Sequence, residues 1–425
     1  MICQLPLNPQ QRRRSQKFYH LFSAANGLSY SCVGETMLIL FAVQLGAPNW
    51  VISALGAAIY FGYLLLPLGK SFTAHFGAAQ CQALCWILRN AASLCVASAA
   101  LFYHWKMPAL GIAVLLIGAF AFYGFRGAGC IMGGPLVGAI TSKEEMPRVL
   151  AVNTGIFYLV AMMALFGIFF ILGIGSNVWV LAGIMTFGAF VGMVSSRFIA
   201  RLDEPVALRN SARKPLIPQL HNIVRDPNII RLILANAAVN MALIMIAPIS
   251  MLALKRGYGI DDHLALLYSL FLSLASACSS FLNSPLARKF GPRKVAIGAF
   301  LMLLMVPVMW IFAPSSCVPL FCCLLFLVQG GGAVSANVAL TQYFIQTVAM
   351  ERQVAASMFL SIASYVGASL CGLGLNSLLL EIFVSPVPEF HQFRWYFAFA
   401  LLILGPCTLL LKRLPPLSPA QRRRI

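Results

Sequence analysis

Three ionisable side chains, Glu35, Arg89 and Arg126, fall deep inside long apolar stretches of the sequence. An isolated charge in hydrocarbon costs at least a few kcal/mol, so each must face a partner or a wet cavity. Each is therefore a candidate for chemistry. Glu35 is the one acid inside any of these stretches. Desolvation and a neighbouring guanidinium act on a carboxyl's proton affinity in opposite senses, which suits Glu35 to load and release a proton. Arg126 suits bidentate hydrogen bonding to a carboxylate or phosphate. Arg89 reads as a structural intramembrane charge, with Glu35 as one possible partner.

Uncharged polar residues extend the set. Asn236 and Asn240 are spaced i, i+4 and share one helix face. Gln329 precedes the run Gly330-Gly331-Gly332, where a loosened helix would expose backbone carbonyls, and Asn337 follows eight residues on. Asn26 lies nine residues before Glu35, about 180° around a straight helix. The two share a face only if the helix bends, with Gly27 and Gly34 as the candidate hinges.

Enzymatic chemistry has little support. The six histidines are scattered near the ends of apolar stretches or in loops. No His-x-x-x-His or acid pair falls within an apolar run, the adjacent acids Glu144-Glu145 and Asp261-Asp262 lie in loops, no nucleotide-binding P-loop is present, and Cys81/Cys85 and Cys322/Cys323 lack the surroundings of a zinc or redox site. No cofactor and no metal is expected.

The elements that carry these residues follow from hydropathy. With 60% hydrophobic and 10% charged residues, the 425-residue chain is no ordinary soluble domain. A bilayer core of about 30 Å needs roughly 20 apolar residues per helix, and twelve such runs extend from Phe18–Leu45 to Tyr396–Leu411. They lack the short alternation of a membrane barrel. The expected fold is an all-α membrane protein with twelve transmembrane helices.

The cations orient it. Of 30 Lys and Arg, 24 lie in or beside alternate gaps, four (Lys106, Lys255, Arg256 and Arg394) in the other gaps, and two within runs. Lys and Arg are retained on the cytoplasmic side, so both termini are expected there. The net charge of +19 then faces anionic lipid, with no nucleic acid as partner. Arg12, Arg13 and Arg14 read as a cytoplasmic anchor, because the run after them is too long for a cleavable signal.

The expected division is an N-terminal segment 1–17, a six-helix bundle 18–194, a cytoplasmic linker 195–228, a second bundle 229–411 and a basic tail 412–425. The halves echo each other. His75-Phe76-Gly77 matches Lys289-Phe290-Gly291 at an offset of 214, and Arg148-Val149-Leu150-Ala151 matches Arg352-Gln353-Val354-Ala355 at 204. Two matches in the same order point to a duplicated unit.

On these features the chain resembles the major facilitator superfamily of secondary transporters. That family carries a Gly-x-x-x-Asp-Arg-x-Gly-Arg-Lys-like motif after its second span. The loop Ser284–Lys294 keeps Lys289, Gly291, Arg293 and Lys294 but has Arg288 where the acid is expected, and the earlier copy keeps Gly77. The gating acid is missing from both. Phe122–Gly129, with Arg126 followed by Gly127 and Gly129, is similar to the fourth span of proton antiporters and sugar porters. Asn153–Leu172 has no proline, which counts against drug efflux.

The resemblance implies two pseudo-symmetric bundles and a cavity lined by the first, fourth, seventh and tenth helices. Glu35, Arg126, Asn236, Asn240, Gln329 and Asn337 would sit on those helices, with Asn26 a further candidate. Gly77, Arg288, Lys289, Gly291, Arg293, Arg148 and Arg352 would form gating loops. The expected function is secondary active transport of a small organic solute, anionic or zwitterionic, by alternating access. Proton coupling through Glu35, a monomeric state and a bacterial inner membrane complete the expectation. A lipid flippase on the same scaffold is the alternative, and a polytopic membrane enzyme the second.

Overall fold

The computed structural model describes residues 2–4, 7–131, 133–141, 146–213, 225–348, 353–384 and 390–416. Among them, twelve helices are long and apolar enough to cross a membrane. In chain order these spans are Pro9–Gln44, Asn49–Phe76, Ala78–His104, Pro108–Cys130, Val152–Ile174, Val178–Ala200, Pro227–Gly257, Asp262–Asn283, Pro292–Ile311, Pro319–Phe344, Ala356–Phe383 and Phe390–Lys412. Their exteriors are apolar: Ile174 is 92% exposed, Leu320 80% and Phe312 78%. Such side chains need lipid rather than water around them.

Two boundaries differ from the hydropathy reading. The first span starts at Pro9 because Asn8 and Gln11 form a capping box. Asn8 Oδ1 accepts the Gln11 N–H at 2.8 Å, and Gln11 Oε1 accepts the Asn8 N–H at 3.0 Å. Arg12–Arg14 are therefore helical. The eleventh span runs to Phe383, so Glu381 falls inside its last turn, exposed, and Glu35 is not the one acid in a span.

The chain forms two compact units. The first is Met1–Ala47 with Phe61–Lys214. In it the third span packs on the fourth and sixth, the first on the fifth and sixth, and the fourth on the latter half of the second. The second unit is Pro48–Tyr60 with Pro215–Ile425. There the ninth span packs on the tenth and twelfth, the seventh on the eleventh and twelfth, and the tenth on the eighth. Adding six to each span number converts one pattern into the other, as a duplication requires. Val206–Arg213, assigned to the linker by sequence, is a helix packed on Leu66–Phe76 within the first unit.

Small residues set the spacing between helices in lipid, where apolar side chains gain nothing by leaving the solvent. A Cβ on Gly69 would lie 1.9 Å from the Ala128 carbonyl oxygen, and one on Gly127 2.2 Å from that of Gly62. The tenth span uses its glycines the same way. A Cβ on Gly330 would meet Leu272 O at 2.2 Å, and one on Gly332 would meet Leu303 N at 3.0 Å. The helix Pro319–Thr347 is unbroken there. The triglycine does not loosen it, as the sequence suggested; it seats it against the eighth and ninth spans.

Pro248 marks the weak point of the seventh span. Lacking an N–H, it leaves the Ile244 carbonyl without its helical donor. Asn376 Nδ2 donates to that carbonyl at 2.9 Å, and the Tyr396 hydroxyl, 2.7 Å from Asn376 Oδ1, also reaches Met245 O at 2.8 Å. Asn376, Tyr396 and Pro248 are all buried. Asn376→Leu is expected to destabilise the second unit by about 1–3 kcal/mol through the orphaned carbonyl. Denaturant unfolding should show that loss, and should show much of it recovered when Pro248→Ala restores the helical donor.

Candidate functional site

The first span is two helices, Pro9–Val33 and Glu35–Gln44, interrupted at Gly34. Gly34 is extended (φ −62°, ψ 177°), with its N–H bonded to Tyr30 O at 2.7 Å. Any residue adopts those angles; space requires the glycine, because a Cβ would lie 2.8 Å from Tyr30 O. The bend thus falls at one of the two glycines that sequence nominated. Glu35 opens the second helix, half-buried, at the end where a helix favours negative charge. Asn26 has a partner elsewhere: its Oδ1 accepts the Trp86 Nε1–H at 2.9 Å, tying the first span to the third.

Arg89 is wholly buried. Its guanidinium lies over the rings of Trp86 and Phe122, 4.9 and 5.0 Å from their centroids, and Nη2 donates weakly to Ser29 Oγ at 3.4 Å. Its Nε has no hydrogen-bond partner among the described residues. No acid pairs with it among them either, so the Glu35 partnership weighed from sequence is not formed. Arg126 is half-buried and lies 5.1 Å over the Tyr30 ring. Tyr63, Tyr123 and Cys130 are within electrostatic range of it, and so is Arg89, which it repels.

The glycines around Arg126 hold it in place. Gly124 faces Leu65 and Gly127 faces Gly62, both on the second span's side, while Gly129 faces Trp86 of the third. Two guanidinium groups are thereby pressed into one apolar bundle, among the rings of Tyr30, Trp86 and Phe122 and with no acidic partner among the described residues. Such a cluster attracts an anion.

In the second unit the amides largely satisfy themselves. Asn236 Nδ2 donates to Leu232 O at 3.0 Å, Asn240 Nδ2 to Asn236 O at 2.8 Å and Asn337 Nδ2 to Ala333 O at 3.1 Å. Their donors are turned along their own helices, which leaves the side-chain carbonyls as acceptors. Gln329 is 2% exposed, and its Oε1 has no partner among the described residues.

The two loops expected to gate carry a feature that sequence reasoning missed. Gly77 and Gly291 both adopt positive φ, +93° and +85°, at the start of the third and ninth spans. Only glycine holds such angles without strain. An acid from beyond the sixth span reaches the first of these loops. Glu204 Oε2 accepts the N–H groups of Ala78 at 2.7 Å and Ala79 at 3.0 Å. Burial pushes its carboxyl above the usual range, although both N–H bonds pull the other way. Glu204–Pro205 (β2) also pairs in parallel with Ile2–Cys3 (β1). Arg209 and Arg213 each donate Nε to Ala74 O at 3.2 Å. In the second copy, Arg293 Nη2 donates to Lys412 O at 2.6 Å, and Lys289 lies over Phe290. Arg352 and the side chains of Arg148 and Arg288 lie outside the described residues.

Residues 232–425 match the model of the Major Facilitator Superfamily. The whole chain shares that architecture with solved structures. The nucleoside transporter NupG aligns at a TM-score of 0.68 and 14% identity, over 94% of this chain and 99% of that one. The second half of the chain thus resembles that family in sequence, and the whole chain shares its fold with solved transporter structures. A D-xylose-proton symporter aligns at a TM-score of 0.65 and 13% identity, over 95% and 97% of the two chains. An inward-facing bacterial homologue of the iron transporter ferroportin aligns at 0.67 and 12%, over 95% and 98%. No curated protein matches the sequence.

Proposed function

We propose that the protein is a secondary active transporter of a small organic anion or zwitterion, working by alternating access and coupled to protons through Glu35. The observation that carries this reading is the pair Arg89 and Arg126, held near each other in the first unit without an acid among the described residues. Uncompensated cations in a membrane bundle are costly and persist where a ligand pairs with them. Arg126, half-buried over Tyr30, retains some exposed surface and is the member able to touch a solute, and its planar fork matches a carboxylate or phosphate. Arg89 has no exposed surface and acts through its field. Glu35, at the break in the first span, supplies a carboxyl in the same unit that can change protonation as its access alternates.

Uptake of a panel of organic anions into proteoliposomes tests both parts. Arg126→Gln is expected to abolish uptake of the anion that wild type carries, and Arg126→Lys to restore only a minor part, because an ammonium cannot reproduce the bidentate fork. Unchanged affinity in Arg126→Gln removes this residue from the site. Glu35→Gln is expected to retain exchange of the anion across the membrane while losing accumulation driven by a pH gradient. Accumulation that persists in that variant ends the role of Glu35 as the coupling group.

A further inference from the structure

The four cations in the sparsely basic gaps are not alike. Three have partners within the second unit. Lys255 Nζ lies 2.5 Å from Asp262 Oδ1 and 2.7 Å from Ile260 O. Arg256 meets the Asn49 side chain. Arg394 donates to Ala313 O at 2.5 Å and lies over Phe390. Lys106, in the first unit, is exposed and has no polar side-chain contact among the described residues. The connections at its end of that unit, 45–48, 105–107 and 175–177, contain no Asp or Glu.

Its backbone is also unusual. Lys106 has φ of +59°, the only positive value outside glycine among the described residues. It closes the third span, with Met107 N–H bonded to Phe102 O at 2.9 Å and Lys106 N–H to Tyr103 O at 3.1 Å. The first span closes with the same bonding pattern, and there the left-handed position is Gly46, at φ +73°. Glycine is the residue this position favours. At the third span a lysine occupies it despite a left-handed strain of order 1 kcal/mol. Strain of this kind gathers where a side chain has work to do.

The side chain opens on a cleft. A space of about 740 Å³ within the first unit is lined by Gln44, Tyr103, His104, Lys106, Asn177 and Trp179. Gln44 and His104 are the last residues of the first and third spans, and the fourth and sixth begin at its edge with Pro108 and Val178. The cleft is therefore level with the membrane surface. The His104 ring meets Trp179 edge-on at 5.8 Å. Asn177 uses Oδ1 to accept the Val180 N–H at 2.9 Å, which leaves Nδ2 to donate. Trp179 in its lining is 50% exposed, and Trp105 and Met107, which flank Lys106 in sequence, are 59% and 51% exposed. Cationic and donor groups at the centre, with aromatic rings at interfacial depth around them, match an amphiphile with an anionic head.

We propose that this cleft binds the headgroup of an anionic phospholipid, with the phosphodiester on Lys106 and His104 and the acyl chains along the Trp105 and Trp179 rim. A soluble anion would make no use of that rim, and a zwitterionic headgroup would bring its own cation next to Lys106. The site is separate from Arg126 and stands whether or not the protein carries anions.

Native mass spectrometry of the full-length protein in detergent tests this, with dioleoylphosphatidylglycerol, dioleoylphosphatidylcholine and glycerol 3-phosphate as probes. Lys106→Asn removes the charge while keeping a residue at ease in the left-handed conformation. It is expected to weaken the most tightly retained phosphatidylglycerol about fivefold, the effect of one cation near an anionic lipid surface. Trp179→Ala should weaken it as well, and Lys412→Gln, at a basic gap, should leave that lipid in place. Three results would each overturn the proposal. They are unchanged retention in Lys106→Asn, equal retention of phosphatidylcholine by wild type, and displacement of the lipid by glycerol 3-phosphate at comparable concentration, which would mark a soluble-anion site.

Discussion

Gly69→Val is expected to prevent the first unit from assembling. The Cβ that valine adds would lie 1.9 Å from the Ala128 oxygen, 2.7 Å from its carbonyl carbon and 3.0 Å from its Cα. All three are backbone atoms, so no rotamer change relieves the contact. The second and fourth spans would have to separate, and Gly62 and Gly127 lie in the same contact, with a Cβ on either 2.2 Å from opposing backbone. Separation thus forfeits close packing along the interface as well as at the mutated residue. A loss above ~4 kcal/mol follows, at the extreme of single-substitution effects. Gly183→Val is the matched control, since a Cβ there meets nothing within 4 Å. Thermal unfolding in detergent should show the first variant unfolded or strongly destabilised and the second close to wild type. Equal melting of the two would mean that the helices are not held at this distance.

Arg89→Met is expected to stabilise the fold while weakening the anion site. Burying an ion costs several kcal/mol after relaxation, and a hydrophobic residue of similar volume in its place is often stabilising by roughly 1–4 kcal/mol. What Arg89 gains in return is modest. It has two aromatic faces, each worth roughly 0.5–2 kcal/mol, one long hydrogen bond to Ser29 and a repulsion from Arg126. Methionine keeps the packing against Trp86 and Phe122 and removes the desolvated charge. A gain of ~1–3 kcal/mol in denaturant unfolding is the expected balance. Anion affinity should fall at the same time, although Arg89 has no surface from which to touch a solute. A destabilised Arg89→Met protein would show that an unidentified group balances the arginine, and would remove the main support for an anionic substrate.

Much of this architecture can be read from the sequence because lipid imposes few choices. Twelve apolar runs and the alternating cations lead directly to twelve spans, and the Lys289-Phe290-Gly291 echo of His75-Phe76-Gly77 marks a repeat that the helix neighbours reproduce. Gly77 and Gly291 even share a backbone conformation. The three intramembrane charges were legible for the same reason, since hydrocarbon makes each one conspicuous. Their partners were not. A guanidinium can be held by Trp86 and Phe122 as well as by Glu35, and spacing does not distinguish rings from carboxylates. Glu204 was hidden for a different reason: it acts on Ala78 from 126 residues away, and only the folded chain brings them together. Two missed features had local signals. Asn8-Pro9-Gln10-Gln11 spells a helix start, and Pro248 announces a carbonyl in need of a donor.

The parallel pairing of Ile2–Cys3 with Glu204–Pro205 bears on how the protein is made. The first strand leaves the ribosome before the six spans that separate it from its partner, which follows about 200 residues later. At 5–20 residues per second, that interval is about 10–40 s. During it six spans must insert while the early strand waits unpaired at the membrane surface and the third span waits for the carboxylate of Glu204. Closure of this clasp thus reports that the sixth span has been inserted. A ribosome paused before residue 204 would hold a first unit that is threaded through the membrane but not yet fastened.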